Sequence, residues 1–221
     1  MKIEFIELEY LDYYIGDPTS LCLVDALHAK PPQSDLFTGE IVERVISNVK
    51  CAGIISKVSR TVADLNRKMD GSNDAALQQY RATIKKIFKQ YGILDEQSHQ
   101  ITKPVLHLSI HGMKDEHYGR HAIEVGTFQG QSCSKKMRSW FQRTIRKKSN
   151  EILPNTRIVF DEYFDGDESI VYHRMGDGDS YEGYGPHFHT FQIEFSKTLR
   201  EDYQSEIVEL ITQIINERSH P

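Results

Sequence analysis

The chain has 221 residues, 38% hydrophobic and 27% charged, which is ordinary for a soluble globular protein and long enough for one substantial core. Its formal net charge of −5 excludes the broad basic face that non-specific nucleic-acid binding needs. Three widely spaced cysteines (Cys22, Cys51, Cys133), an N-terminus unlike a signal or transit peptide, and no apolar run long enough for a membrane span point to free thiols in a cytoplasmic protein.

Taken in order, residues 3–8 alternate as a short strand does, and residues 13–20 read as a loop turning at Asp17-Pro18. Residues 21–29 (LCLVDALHA) are a nearly continuous apolar run, as a strand buried on both faces requires, with His28 at its carboxyl end. The KPPQSD loop follows. Then Ile41, Val42, Val45, Ile46 and Val49 take a helical spacing that Gly53 stops. Residues 55–67 (ISKVSRTVADLNR) open as a strand on Ile55, Val58 and Val62 and close in the polar cluster Asp64, Asn66 and Arg67. A Gly/Ser/Asn turn at 71–73 precedes Asp74, which caps a long helix over 75–91.

VLHLSIHGM (105–113) is a core strand and GRHAIEVGT (119–127) another. Residues 134–151 form a basic amphipathic helix with Met137, Trp140, Phe141 and Ile145 inward; its basic run reads as a solvated face. Residues 156–162 are a strand. The stretch 164–185, rich in glycine, aspartate and tyrosine with a strand-like piece at 169–173, reads as a lid or binding loop whose tyrosines pack on a substrate. HFHTFQIEFS (187–196) is again a strand. The last helix spans 199–218, with Ile207, Leu210, Ile211, Ile214 and Ile215 inward. Strands alternating with helices, without an internal repeat, predict a single α/β layered domain over 1–221 with a mostly parallel or mixed sheet.

Three core strands end in groups that apolar packing does not require: His28, His111 and Glu194. Sites in open α/β sheets form beyond the carboxyl ends of strands. Asp35 follows His28 across a short loop, and two imidazoles with one carboxylate are a standard zinc set that leaves a fourth position for water. Glu194 suits the base that deprotonates such a water. Arg60 and Arg67, framing Asp64 and Asn66, offer planar forks that match a carboxylate. Each has a plainer reading. Strand-end histidines serve as structural hydrogen-bonding groups, Asp35 makes a good helix N-cap, Glu194 can pair with Arg200 or a lysine, and an Arg–Asp pair can simply tie a loop down. His107, four residues before His111 on the same strand face, is a rival ligand, and His187 and His189 border the last core strand. His220, in the tail, is set aside. On residues alone the reading stops at a candidate metal site.

His28 with the trailing SDLFTGEIVERVI, then SRTVADLNR, SIHGM and QIEFSKTLR, follow one another in the order seen in the N-formylglutamate amidohydrolase-like family. The chain resembles that family, its poly-γ-glutamate hydrolase relatives and, distantly, zinc carboxypeptidases. The resemblance implies a zinc-exopeptidase-like, three-layer α/β/α sandwich with a mixed, mostly parallel sheet. It implies one zinc ion on His28, Asp35 and His111, with Glu194 as general base and Arg60, Asn66 and Arg67 binding a substrate carboxylate. The implied reaction is cleavage of an amide in an N-acyl amino acid or glutamyl-type amide, with a small-molecule partner and neither nucleic acid nor membrane. One departure lies beside the first histidine, where the family usually has a small residue and Gly and this chain has Ala29 and the KPPQS loop. The competing class is a non-catalytic sensor on the same fold that takes a small anionic ligand through Arg60 and Arg67.

Overall fold

The computed structural model describes residues 3–219, so His220 lies outside the described residues. One mixed sheet contains β1 (Ile6–Glu7), β2 (Leu11–Tyr14), β3 (Cys22–Ala26), β4 (Ala52–Ser56), β5 (Val105–Met113), β6 (Ala122–Gly126), β7 (Arg157–Phe160) and β8 (Phe188–Ser196). Their spatial order is β1-β2-β4-β3-β5-β8-β6-β7. The four central strands β4, β3, β5 and β8 are parallel; β2 flanks them antiparallel on one side, and β6, antiparallel to β8, carries β7 parallel on the other. The fold is a mixed-sheet α/β sandwich with helices on both sides.

On one face, α1 (Thr38–Val49), α3 (Lys135–Ile152) and α6 (Gln204–Ser219) lay their apolar stripes on the sheet in one cluster. Phe141 of α3 stacks on Phe191 of β8, with ring centroids 4.0 Å apart and planes 11° from parallel. Ser134 caps α3 by accepting the Met137 N–H at 3.2 Å. On the other face α2 (Asp74–Gln90) packs Leu77, Tyr80, Ile84 and Phe88 over Leu23, Val105 and Phe188.

The two faces of the central strands differ along their length. In β5, Leu106, Leu108 and Ile110 belong to the α1/α3/α6 core, while His107, Ser109 and His111 alternate with them on the α2 side. In β8, Phe191, Ile193 and Phe195 alternate in the same way with Thr190, Gln192 and Glu194. The α2-side face is therefore apolar where the strands begin and polar where they end. Every residue of β8 is nonetheless buried. Buried polar rows cost stability unless they are hydrogen-bonded, and here His107, Ser109, His111, Gln192 and Glu194 are bonded to Thr190, Asp25 and one another.

Several element boundaries differ from the sequence expectations. β2, which the sequence reading did not assign, runs two residues into the segment read as a loop and pairs with β4 at the sheet's margin. The strand expected to start at Ile55 is β4, which ends at Ser56, and Val62 is 64% exposed. Helix α1 closes at Lys50 in the left-handed region, so Gly53 sits inside β4, where its bare Cα lets Ile46 approach. Residues 169–173 are helical, within α4 (Glu168–Met175), because Asp167 caps them by accepting the Ser169 N–H at 3.2 Å. The last helix breaks at Tyr203 into α5 (Lys197–Asp202) and α6.

His173 of α4 is buried against Tyr80, His107, Tyr181 and Phe188, with Asp25 and Arg81 also near. Burial, reinforced by His107, pushes its imidazole down to about 3 from an ordinary 6.5. The unfolded chain thus takes up this proton first, and stability held above pH 6.5 drains away as the pH falls from there towards 3. The effect of one such group is on the order of a few kcal/mol. Urea midpoints measured at pH 7 and pH 4 are expected to differ less in His173→Phe than in the wild type. Equal differences would remove His173 as the source of acid sensitivity.

Candidate metal centre

Parallel strands bring their carboxyl ends to one place, and the sequence puts its polar side chains there. His28 follows β3 by two residues, His111 lies near the end of β5, and Glu194 of β8 is its register partner. The loop after β4 supplies Arg60, Asn66 and Arg67. Asp35 comes from the β3–α1 loop, which folds back on itself: the Asp35 N–H donates to His28 O at 2.8 Å, and Asp35 O accepts Thr38 Oγ1–H at 2.7 Å. The carboxylate is therefore turned inward and does not cap α1, whose N-cap is Phe37 with no side-chain cap.

Asp35 Oδ2 lies 3.3 Å from His28 Nδ1 and 3.3 Å from His111 Nδ1, all three residues being buried. The rings of the two histidines meet edge-on with centroids 4.8 Å apart. The opposite ring nitrogens define the tautomers. Asp64 Oδ1 sits 2.8 Å from His28 Nε2, and a carboxylate only accepts, so Nε2 carries the hydrogen. Ser109 donates its hydroxyl proton to Asp25 Oδ1 at 2.6 Å, leaving its oxygen to accept from His111 Nε2 at 3.0 Å. Neutral imidazoles so held turn bare Nδ1 lone pairs towards a carboxylate oxygen.

Three acceptors facing one another without a donor are repulsive unless a cation lies among them. A tetrahedral zinc ion with bonds of about 2.0–2.1 Å spaces its ligands roughly 3.3–3.4 Å apart, in agreement with the two spacings here. The donor set therefore fits a divalent ion of the zinc type. Hydrogen bonds to Asp35 and Asp64 outweigh burial and raise His28, and hydrogen bonds with His111 and His28 outweigh burial and hold Asp35 well below the usual carboxylate range, so the cluster favours positive charge beside the Asp35 carboxylate. Metal uptake should accordingly release protons.

Burial pushes the Glu194 carboxyl up to about 7, with His111 opposing the rise. Gln192 donates to Glu194 Oε1 at 3.1 Å and accepts from Asn66 Nδ2 at 3.2 Å. A carboxyl balanced near neutrality both takes and returns a proton readily. Arg60 donates to Asp35 Oδ1 at 2.5 Å, bracing the carboxylate from behind. Arg67 donates to Asp167 Oδ2 at 2.6 Å, yet its side chain stays 56% exposed on the pocket wall. All of these line a polar pocket of about 220 Å³, and a wider cavity of about 930 Å³ adjoins it through Asp35, Arg60 and Gly112, reaching Lys114, Lys197 and Arg200.

Residues 163–167 wall this pocket, and Phe164 O would stand 2.4 Å from a Cβ at Gly126, so only glycine lets the strap lie so close to β6. The tyrosines further along behave differently from expectation. Tyr184 is buried in the α2 core, and the Arg81 guanidinium lies 4.2 Å over the Tyr181 ring, so neither faces the pocket. His107 is occupied elsewhere, by Asp25 Oδ2 at 2.8 Å and Thr190 Oγ1 at 3.1 Å. His187 and His189 lie at the opposite end of the sheet, where β8 begins.

The residues not singled out beforehand are Gln192, the Ser109–Asp25 support of His111 and Asp64 as the partner of His28; Arg200, which the sequence offers as a partner for Glu194, is engaged by backbone instead. Arg200 donates to the carbonyls of Phe195, Leu36 and Met113 at 3.1, 2.7 and 3.3 Å. Its Cζ would stand 2.3 Å from a Cβ at Gly112, so the glycine of SIHGM makes room for it. Period-two alternation carried the signal for two of them: Ser109 and Gln192 are two residues before His111 and Glu194 and share their faces. For Asp64→Asn, which weakens the acceptor on His28 Nε2, zinc affinity by chelator competition is expected to fall about 10–100-fold. Unchanged affinity would strip Asp64 of a positioning role.

No family model matches the chain, and no curated protein matches its sequence. Solved structures match its fold. N-formylglutamate amidohydrolase from Ralstonia eutropha JMP134 aligns with a TM-score of 0.66 at 12% identity, over 95% of this chain and 98% of that one. Bacteriophage poly-γ-glutamate hydrolase gives 0.55 at 14% identity, over 97% and 92%. A metallo-carboxypeptidase from Burkholderia cenocepacia gives 0.51 at 11% identity, over 99% of this chain and 64% of its own length. The architecture is thus the zinc-exopeptidase-like sandwich that the sequence resemblance implied.

Proposed function

We propose that this chain is a zinc-dependent amidohydrolase acting on a small substrate that carries a carboxylate. The observation that carries the reading is the convergence of two histidine Nδ1 atoms, each 3.3 Å from Asp35 Oδ2, beside a carboxyl raised to about 7. His28, Asp35 and His111 would hold the ion, which when bound supplies Lewis acidity towards an amide carbonyl and acidifies an attacking water.

The chain's own residues do the remaining work. Glu194 takes the proton of the attacking water and returns it to the leaving amine as the C–N bond breaks. Gln192 orients the Glu194 carboxyl and is itself held by Asn66. Arg67, half exposed on the wall, offers its remaining N–H groups to a substrate carboxylate, and Asn66 stands beside it. Arg60 adds positive charge at the mouth while bracing Asp35. An N-acyl amino acid or a glutamyl-type amide combines the amide with the carboxylate that this layout favours. The test is zinc per chain by elemental analysis, together with hydrolysis of a set of N-acyl-glutamates. Stoichiometric zinc with turnover supports the reading, whereas a zinc-free active enzyme overturns it.

A further inference from the structure

A second cavity, of about 600 Å³, opens at the opposite end of the sheet, where β5 and β8 begin after Pro104 and His187. Val105 and His111 are six steps apart along β5, which places this cavity about 20 Å from the metal centre. Its size is that of a small-molecule site. Lys136, Arg143, Arg174 and Arg218 line it, and none of the four makes an ion pair among the described residues. Arg174 donates to the carbonyls of Pro186 and Phe188, and Arg218 to those of Leu21 and Pro104. Carbonyls orient a guanidinium but leave its charge uncancelled. The one carboxylate on the wall, Glu217, is engaged by Thr144 Oγ1 at 3.1 Å and Lys148 Nζ at 3.5 Å.

Four uncancelled cations around one concavity, in a chain of net charge −5, make a field for a multiply charged anion. The first turn of α3, an 18-residue helix, adds the positive end of its dipole at Ser134, Lys136 and Met137. Between the cations the lining is apolar: Trp140, Met137, Pro104 and Pro186. An indole face beside guanidinium groups suits a planar ring that carries a phosphate, because the ring stacks while the several phosphate oxygens engage several cations at once.

We infer that this cavity is a second ligand site, taking a phosphorylated flat-ring compound of mononucleotide size through Trp140, Lys136 and Arg143, with Arg174 and Arg218 supplying fixed charge. The basic run on α3, which the sequence presents as a solvated face, then has a use.

Trp140 is the chain's single tryptophan, so fluorescence excited at wavelengths that tyrosine does not absorb reports on this cavity alone. Titration of the full-length, metal-loaded protein with AMP is expected to quench it saturably. Adenosine and inorganic phosphate, each carrying half of the recognised chemistry, should bind at least about tenfold more weakly, a difference of about 1.4 kcal/mol. The double variant Lys136→Gln/Arg143→Gln, both positions being exposed, should fold normally and bind AMP at least about tenfold more weakly. No saturable quenching by AMP, or equal AMP affinity in the double variant, overturns the inference. Equal affinity for phosphate and AMP also overturns it, reducing the site to simple anion attraction. Chelating the metal leaves the AMP titration unchanged, so failure here and failure of the amidohydrolase reading are told apart.

Discussion

Glu194→Gln is expected to lower kcat on an N-acyl-glutamate by about 10²- to 10⁴-fold, the range that a positioned general base contributes. Glutamine keeps the shape of the side chain, so the bond from Gln192 has an acceptor at the same place and the fold is retained. Zinc content should not move, because Glu194 lies beside the ligand trio and is not one of its members. The pH profile carries a second sign. A carboxyl raised to about 7 is a competent base only above that value, so wild-type kcat/KM should fall as the pH drops through it, to the extent that the ion does not pull the carboxyl lower. Residual activity in Glu194→Gln within a factor of about ten of wild type would place the base elsewhere.

His111→Ala should have the larger effect on the metal. It removes one of three ligands and frees Asp35 Oδ2 and Ser109 Oγ, which both lean on that ring. The loss of zinc affinity should exceed the roughly 10–100-fold expected for a supporting residue such as Asp64, and turnover should vanish with it. Elemental analysis after gel filtration, run beside His107→Ala, separates ligand loss from general damage. His107 lies on the same strand and face but is bonded to Asp25 and Thr190, so its variant should keep its zinc while losing stability. Zinc retained in His111→Ala, or lost equally in both variants, would end the proposed ligand set.

Much of the layout could be read from residues because the central strands are strongly patterned. LCLVDALHA, VLHLSIHGM and HFHTFQIEFS are each apolar enough to be core strands and each end in a group that packing does not need. Which polar groups meet was less legible. Asp35 fits a helix cap by spacing, and only the hydrogen bond from its N–H to His28 O turns its carboxylate inward. Arg60 and Arg67 looked alike in sequence, yet one braces Asp35 and the other reaches Asp167, a partner 100 residues away that no local pattern announces. β2 escaped notice because four residues at a sheet margin carry little periodicity. Residues 169–173 have the β-branched look of a strand, and the cap at Asp167 decides for helix. Such long-range choices depend on packing that sequence spacing does not encode.

The alternation within β5 and β8 ties the proposed metal centre to folding more tightly than a site built on loops would be. A slip of β5 by one residue against β8 would swap grease for chemistry: Ile110 would face the candidate metal site beside Glu194, and His111 would be driven into the α1/α3/α6 layer. A mispaired chain therefore cannot carry a slightly weaker version of the site. It loses the ligand set outright, and a polar group stranded in the core marks it for unfolding.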